Sequence, residues 1–323
     1  MKDHHYFFTG NNPSDVAAQA ARCPGRTVFA KFFLSSSDQA SSVPHWEGAV
    51  SALVQPPLDG SAAALWIWSV EDAVSVGYGP GVTTAIDADG CEHIWHAGFT
   101  ARGTDSEQQT ADILAAYESD LAARGICLQD NCIRTWFYVH DIDNNYAGMV
   151  KARRENFESI GLTPQTHYIA STGICGTPAS GGLVQMDAYA VKGPFSQRYL
   201  YAPAHLNPTY EYGVTFERGV RLETAGAARV FISGTASIDN RGAVLHVGDV
   251  VAQTGRMMEN VEVLLAEAGC SWDGISQAVF YLRNSEDYEK IAPIVAERCS
   301  FPYVIVLAPV CRPDWLIEME CII

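Results

Sequence analysis

Apolar residues near the carboxyl end follow two alternating spacings. Val250, Thr254, Met257, Met258, Val261, Leu264, Leu265 and Ala268 recur at i, i+3, i+4 and i+7, the spacing of one buried helix face. Gly269 follows directly, and glycine accepts the left-handed backbone that ends a helix. The preceding RVFISGTASI (229–238) reads as a strand. The same succession occurs earlier in the chain. The stretch from Gln109, QTADILAAYESDLAARGICLQDNCIRTWFYVHDIDNNY, matches the stretch from Gln253, QTGRMMENVEVLLAEAGCSWDGISQAVFYLRNSEDY, part for part with one extra residue. Each copy predicts a strand ending in Gly, a helix, a strand, a second helix (near 146–160 or 288–299) and two closing strands. The repeated unit is β-β-α-β-α-β-β, an α+β arrangement with a mixed sheet and both helices on one face.

Proline and glycine are dense in residues 193–213, and periodicity fails there. This segment is expected to be a crossover linker between an amino-terminal unit, 1–192, and a carboxy-terminal unit, 214–323. Within residues 1–90, RTVFAKFFL and ALWIWSV are predicted as additional strands covering the first unit.

Charge narrows the partners. The 37 acidic and 21 basic side chains leave a formal charge of −16, which repels a phosphate backbone. Lys151, Arg153 and Arg154 lie beside Glu155 and Glu158 and read as a solvated helix face. Nucleic acid is therefore not an expected partner. No apolar run has the length of a membrane span, and MKDHHYFFTGNN lacks a signal-peptide core, so a soluble cytoplasmic protein is expected. The nine cysteines include no C-x-x-C pair and read as reduced thiols. His93 and His96 lie three apart on a strand and face opposite ways, which disfavours joint metal binding. Nucleotide-loop, zinc-helix and serine-elbow motifs are lacking, and chemistry without a cofactor is expected.

The copies differ where an acid could act. Aligning Met186 with Met319 sets Gln185 opposite Glu318 and Asp187 opposite Glu320. An amide cannot exchange a proton usefully near neutrality, so the asymmetry places the active site in the second unit, at Glu318. The alternative is that Glu318 pairs with an arginine across an interface. Cys311 and Cys175 match, which suits packing. Arg312 has no counterpart, since Gly176 stands there.

The V-F-I-S-G strand, the Q-T helix, F-Y-L and the closing L-I-E-M-E resemble the Rid superfamily (YjgF, L-PSP endoribonuclease-like), and the likeness spans residues 92–323. It implies the chorismate-mutase-like fold, homotrimeric packing, and a site for a small carboxylate-bearing metabolite in the cleft between adjacent units. Imine and enamine deaminases of this superfamily carry an Arg on the strand before the last and a Glu on the last. Glu318 takes the Glu position, and Tyr303 stands near the Arg position. A narrower resemblance is to the chorismatases, through Ser233-Gly234-Thr235-Ala236-Ser237-Ile238 and Cys311-Arg312 followed by Leu316-Ile317-Glu318-Met319-Glu320. By position Glu318 is the acid/base, and Cys311 is the cysteine of the branch that forms 3-hydroxybenzoate. Two departures accompany it: ASGGLVQMD follows Gly176-Thr177-Pro178, and Ala190 stands where an Arg is expected.

The chorismatase resemblance implies cleavage of an enolpyruvyl ether with release of pyruvate. That chemistry needs a carboxyl kept protonated by apolar neighbours such as Trp315 and Leu316. Arg218, Arg312 and Arg134 are candidate carboxylate donors, although Arg218 also reads as a surface arginine. On the deaminase reading, Ser237 or Tyr281 assists. A third reading is a non-catalytic binder of small carboxylates lined by Tyr199, Tyr201, Tyr210 and Tyr212.

Overall fold

The computed structural model describes residues 1–323 and contains three sheets. The first comprises β1 (Lys2–Gly10), β2 (Arg26–Leu34), β3 (Ala49–Val54) and β4 (Ala63–Glu71), with helix α1 (Pro13–Ala20) between β1 and β2. The next unit runs β5 (Ser75–Gly79), β6 (Val82–Ile86), β7 (Glu92–Thr100), α2 (Ser106–Ala123), the single turn α3 (Leu128–Asn131), β8 (Cys132–Val139), α4 (Ile142–Ser159), β9 (Ala170–Cys175), the short β10 (Thr177–Pro178) and β11 (Val184–Lys192). The last runs β12 (Ser196–Leu200), β13 (Gly219–Thr224), β14 (Ala227–Ala236), α5 (Val250–Glu267), β15 (Gln277–Leu282), α6 (Tyr288–Arg298), β16 (Tyr303–Leu307) and β17 (Ile317–Ile322).

The repeated unit has the expected α+β character. Strand orders β5-β6-β7-β11-β8-β9 and β12-β13-β14-β17-β15-β16 are the same order written twice. In each, one parallel pair, β8 with β9 or β15 with β16, is set among antiparallel neighbours. The long helices stop where glycine permits: Gly125 and Gly269 have φ of +74° and +75°.

Two segments differ from expectation. Residues 196–200, inside the expected crossover, form an edge strand paired with β13. The flanking prolines and glycines fix its ends, so β12 begins directly after the first unit. Residues 2–71, expected as a cover of additional strands on the first unit, form a separate sheet, joined at its edge by the two-residue β10. Its order, β1-β4-β2-β3, repeats that of β14-β17-β15-β16, with β2 and β3 again parallel. It is a shortened third copy, in which α1 has only eight residues and a 3-10 turn (Ser37–Ser42) replaces the second helix.

The three sheets close on one another. Trp68, Tyr189 and Phe231, one from each, form a triangle of ring contacts at 5.6, 6.1 and 5.4 Å. Backbone bridges complete the ring: β10 with β3, Pro57 with Val306, and Ala170 with Glu217. The last of these holds the first and second repeated units edge to edge and frames a cleft between them. No helix is long and apolar enough to cross a membrane.

Candidate active site

Glu318 and Glu320 leave β17 on the same face, as i and i+2 positions must. In the ladder Glu318 lies between Tyr281 of β15 and Ala236 of β14, and its side chain is aimed out of the third sheet toward β9. Gly234 gives it room: a Cβ there would collide with the Glu318 carboxyl.

That carboxyl lines a cavity between the two repeated units. Arg153 and Tyr146 enter from α4, Tyr212 and Arg218 from the segment before β13, and Trp315 and Cys311 from the approach to β17. The first unit therefore supplies one wall and the second supplies the acid.

The electrostatics of the cavity are unusual. Glu318 is 5% exposed, and burial pushes its pKa up to about 8, helped by the negative charge of Glu320 and opposed by Arg218 and Arg134. It is therefore mostly a neutral acid at pH 7. Arg153 is 1% exposed; its Nε donates to Thr215 Oγ1 at 3.2 Å and its Nη1 to Ser171 Oγ at 3.4 Å, while Nη2 has no partner. Arg218 is 4% exposed; its Nη2 donates to the carbonyl and side-chain oxygens of Asn207 at 3.0 and 3.3 Å, while Nε has no partner. Neither guanidinium forms an ion pair with a carboxylate of the protein. Burying a cation without a counter-ion is costly, and two such cations facing one cavity call for an anionic ligand with two acceptor groups.

Glu320 is arranged in the opposite way. It accepts hydrogen bonds from Arg134 Nη2 at 2.7 Å, Trp136 Nε1 at 3.0 Å and Tyr281 Oη at 2.8 Å, and also from Thr172. Its counterpart Asp187 is likewise fully buried and accepts from the Gly98 amide at 2.8 Å.

Among the residues expected from sequence, Glu318, Arg218 and Cys311 meet in the cavity. Burial pushes the Cys311 thiol up to about 12, which disfavours its thiolate. Arg312 sits just outside, its guanidinium 4.6 Å from the ring centres of both Tyr212 and Trp315, with Nη1 donating to the Gly242 carbonyl at 3.2 Å. It clamps the two aromatic walls together. Arg134 and Tyr281 are corrections: both are consumed by Glu320 and take no part in lining the cavity. Ser237 is another, because its hydroxyl donates to the Leu245 carbonyl at 3.0 Å. Tyr303 faces a groove beside α6, away from Glu318.

Arg153 overturns its own reading as part of a solvated face. It belongs to the buried stripe of α4 with Met149, Val150 and Phe157. That 3-4-7 spacing was the available signal, and the neighbouring charges masked it.

The structure brings a buried acid, Glu318, and two arginines without carboxylate partners, Arg153 and Arg218, together in the cleft between two copies of an α+β unit. The chain belongs to the Rid superfamily, the YjgF or L-PSP endoribonuclease-like proteins, in a tandem arrangement. The sequence model described as Endoribonuclease L-PSP matches residues 219–323. The 3-aminoacrylate deaminase RutC of Acinetobacter baylyi is 33% identical over 99 residues, 29% of this chain and 76% of that protein. A 3-hydroxybenzoate synthase of Streptomyces hygroscopicus is 24% identical over 328 residues, 93% of this chain and 92% of the relative. A solved chorismatase structure shares the fold with a TM-score of 0.75 at 20% identity, covering 100% of this chain and 98% of its own.

Proposed function

We propose that the protein is an enzyme that cleaves the enolpyruvyl ether of chorismate or a close relative and releases pyruvate. The observation that carries this reading is the facing arrangement of neutral Glu318 and the buried, unpaired Arg153 and Arg218. A relative along nearly the full length, the 3-hydroxybenzoate synthase, supports the substrate class.

In this reading the two substrate carboxylates take the free N–H groups of Arg153 and Arg218. Glu318 gives its proton to the terminal methylene of the enolpyruvyl group, which becomes a methyl, and an oxocarbenium ion forms at the adjacent carbon. Water adds there. Glu318, now a carboxylate, accepts the proton that this nucleophile loses, and collapse of the adduct breaks the ether bond and liberates pyruvate. Burial between Trp315 and Ile238 keeps the acid neutral before the step and excludes competing solvent. The imine or enamine reading, which a deaminase relative over 29% of the chain supports, calls for an arginine near the position of Tyr303, and Tyr303 faces a different groove.

The cavity lies between two repeated units of the chain, and sedimentation velocity tests whether the protein assembles as a homotrimer. Nine unpaired thiols fit a reducing compartment such as the cytoplasm. The primary test is incubation with chorismate, following pyruvate release, with Glu318→Gln in parallel. Turnover by the wild type and a loss of about 10²–10⁴-fold in the variant are expected. Equal turnover by both proteins, or none by the wild type, overturns the proposal.

A further inference from the structure

Arg218 has a second outlook. It also lines another pocket, which does not include Glu318 and is walled by Tyr168, Tyr201 and Tyr210 together with Asn207, Glu217 and Arg218. The crossover between β12 and β13 builds most of it, closing over the loop that precedes β9. Tyr201 and Tyr210 are 47% and 46% exposed and stand among the few large apolar side chains left open to solvent. Tyrosine rings held at the mouth of a pocket offer rigid stacking area at low entropic cost.

The floor of this pocket is polar and deeply buried. Asn207 and Glu217 are almost fully enclosed, and Glu217 Oε1 accepts from the Tyr168 amide at 2.8 Å. Burial pushes the Glu217 carboxyl up to about 7, so near neutrality it does not fully offset the charge of Arg218. The Arg218 guanidinium donates only to Asn207, a neutral partner in this same wall. A buried guanidinium with a free N–H, set at the base of an aromatic funnel, recognises a flat ring that carries a carboxylate.

We propose that the tyrosine-lined pocket is a second binding site, distinct from the cavity at Glu318, for a ring-bearing carboxylate, with the ring against Tyr201 and Tyr210 and the carboxylate at Arg218. The class of ligand rests on the proposed function, because removing pyruvate from a chorismate-like molecule leaves a cyclic hydroxy-carboxylate. Since one guanidinium serves both pockets, the second site holds the ring product where it competes with the first for Arg218.

The test is a calorimetric titration of the full-length protein with 3-hydroxybenzoate. It compares wild type, Tyr201→Ala/Tyr210→Ala, Tyr201→Phe/Tyr210→Phe and Glu318→Gln. Both tyrosines are half-exposed, and the backbone amide of Tyr201, which donates to Glu267, survives either substitution. The expected result is a binding event weakened at least tenfold in the double Ala variant and retained in both the double Phe variant and Glu318→Gln. An isotherm unchanged by the double Ala substitution, absence of binding to the wild type, or loss of binding in Glu318→Gln overturns the proposal. Turnover of chorismate is scored separately, so failure of this second site and failure of the proposed reaction remain distinguishable.

Discussion

Glu318 and Glu320 are separated by one residue on the same strand face, yet four protein donors hold Glu320 and none holds Glu318. The first arrangement stabilises a carboxylate. The second stabilises a carboxylic acid, and the fixed charge of Glu320 reinforces it.

Glu318 should make both activity and stability pH-dependent. Its carboxyl rises from 4.5 to about 8 on folding. The folded protein therefore holds a proton that the unfolded chain releases, and the associated stability is complete below pH 4.5 and lost as pH rises toward 8. In a pH–rate profile, kcat/KM should fall tenfold per unit above about pH 8. Thermal melts of Glu318→Gln should show a shallower slope, the remainder belonging to Glu217, whose carboxyl is pushed up to about 7, and the variant should be more stable than the wild type at pH 8 to 9. A variant that keeps the wild-type slope would assign the titration to another group.

Glu320→Gln should behave in the opposite way. It strands the Arg134 guanidinium in the interior, and breaking a buried pair from one side costs about 3–5 kcal/mol. Denaturant unfolding should show a fall of that order, together with a lower pKa for Glu318, read as an earlier alkaline limb in any retained activity.

Arg153→Met preserves the long apolar stem and removes the charge. The structure does not give Arg153 a protein carboxylate to lose, so thermal stability should hold or rise. If it carries a substrate carboxylate, KM for chorismate should increase by about 10–100-fold, the worth of a charge-assisted hydrogen bond. An unchanged KM would assign the buried cation to a structural role.

Gly234→Ala tests the space beside the acid. The added methyl meets the Glu318 carboxyl, while Gly234 itself has an ordinary backbone conformation. Overpacking costs about 1–3 kcal/mol, so the fold should survive. Activity should drop sharply, because a displacement of even 1 Å at a reacting group is expensive. A fully active, folded Ala variant would show that the acid does not need this position.

Much of the repeated unit was readable because its signals are local. The helical stripe from Val250, the stop at Gly269 and the two Phe-Tyr strands each lie within a short window. Glu318 was readable through Gln185, a comparison internal to the chain. The shortened copy at the amino end was not, because its eight-residue helix and 3-10 turn carry neither the Gln-Thr start nor the glycine stop of the others. The occupation of Arg134 by Glu320, 186 residues away, depends on how the sheets meet and has no local signature. Arg153 was legible in principle, but a basic run beside glutamates outweighed its place on the apolar stripe.

Three related sheets closing around Trp68, Tyr189 and Phe231 within one chain have an evolutionary consequence. In a ring of identical subunits, every substitution is repeated at each cleft, so an acid gained at one is gained at all. Covalent fusion removes that constraint. Here one cleft keeps Glu318, while the corresponding position of the neighbouring copy is Gln185, its amide donating to Ser51 Oγ at 2.8 Å. Each wall is free to change alone, and on the proposed function a single junction of the three carries the acid.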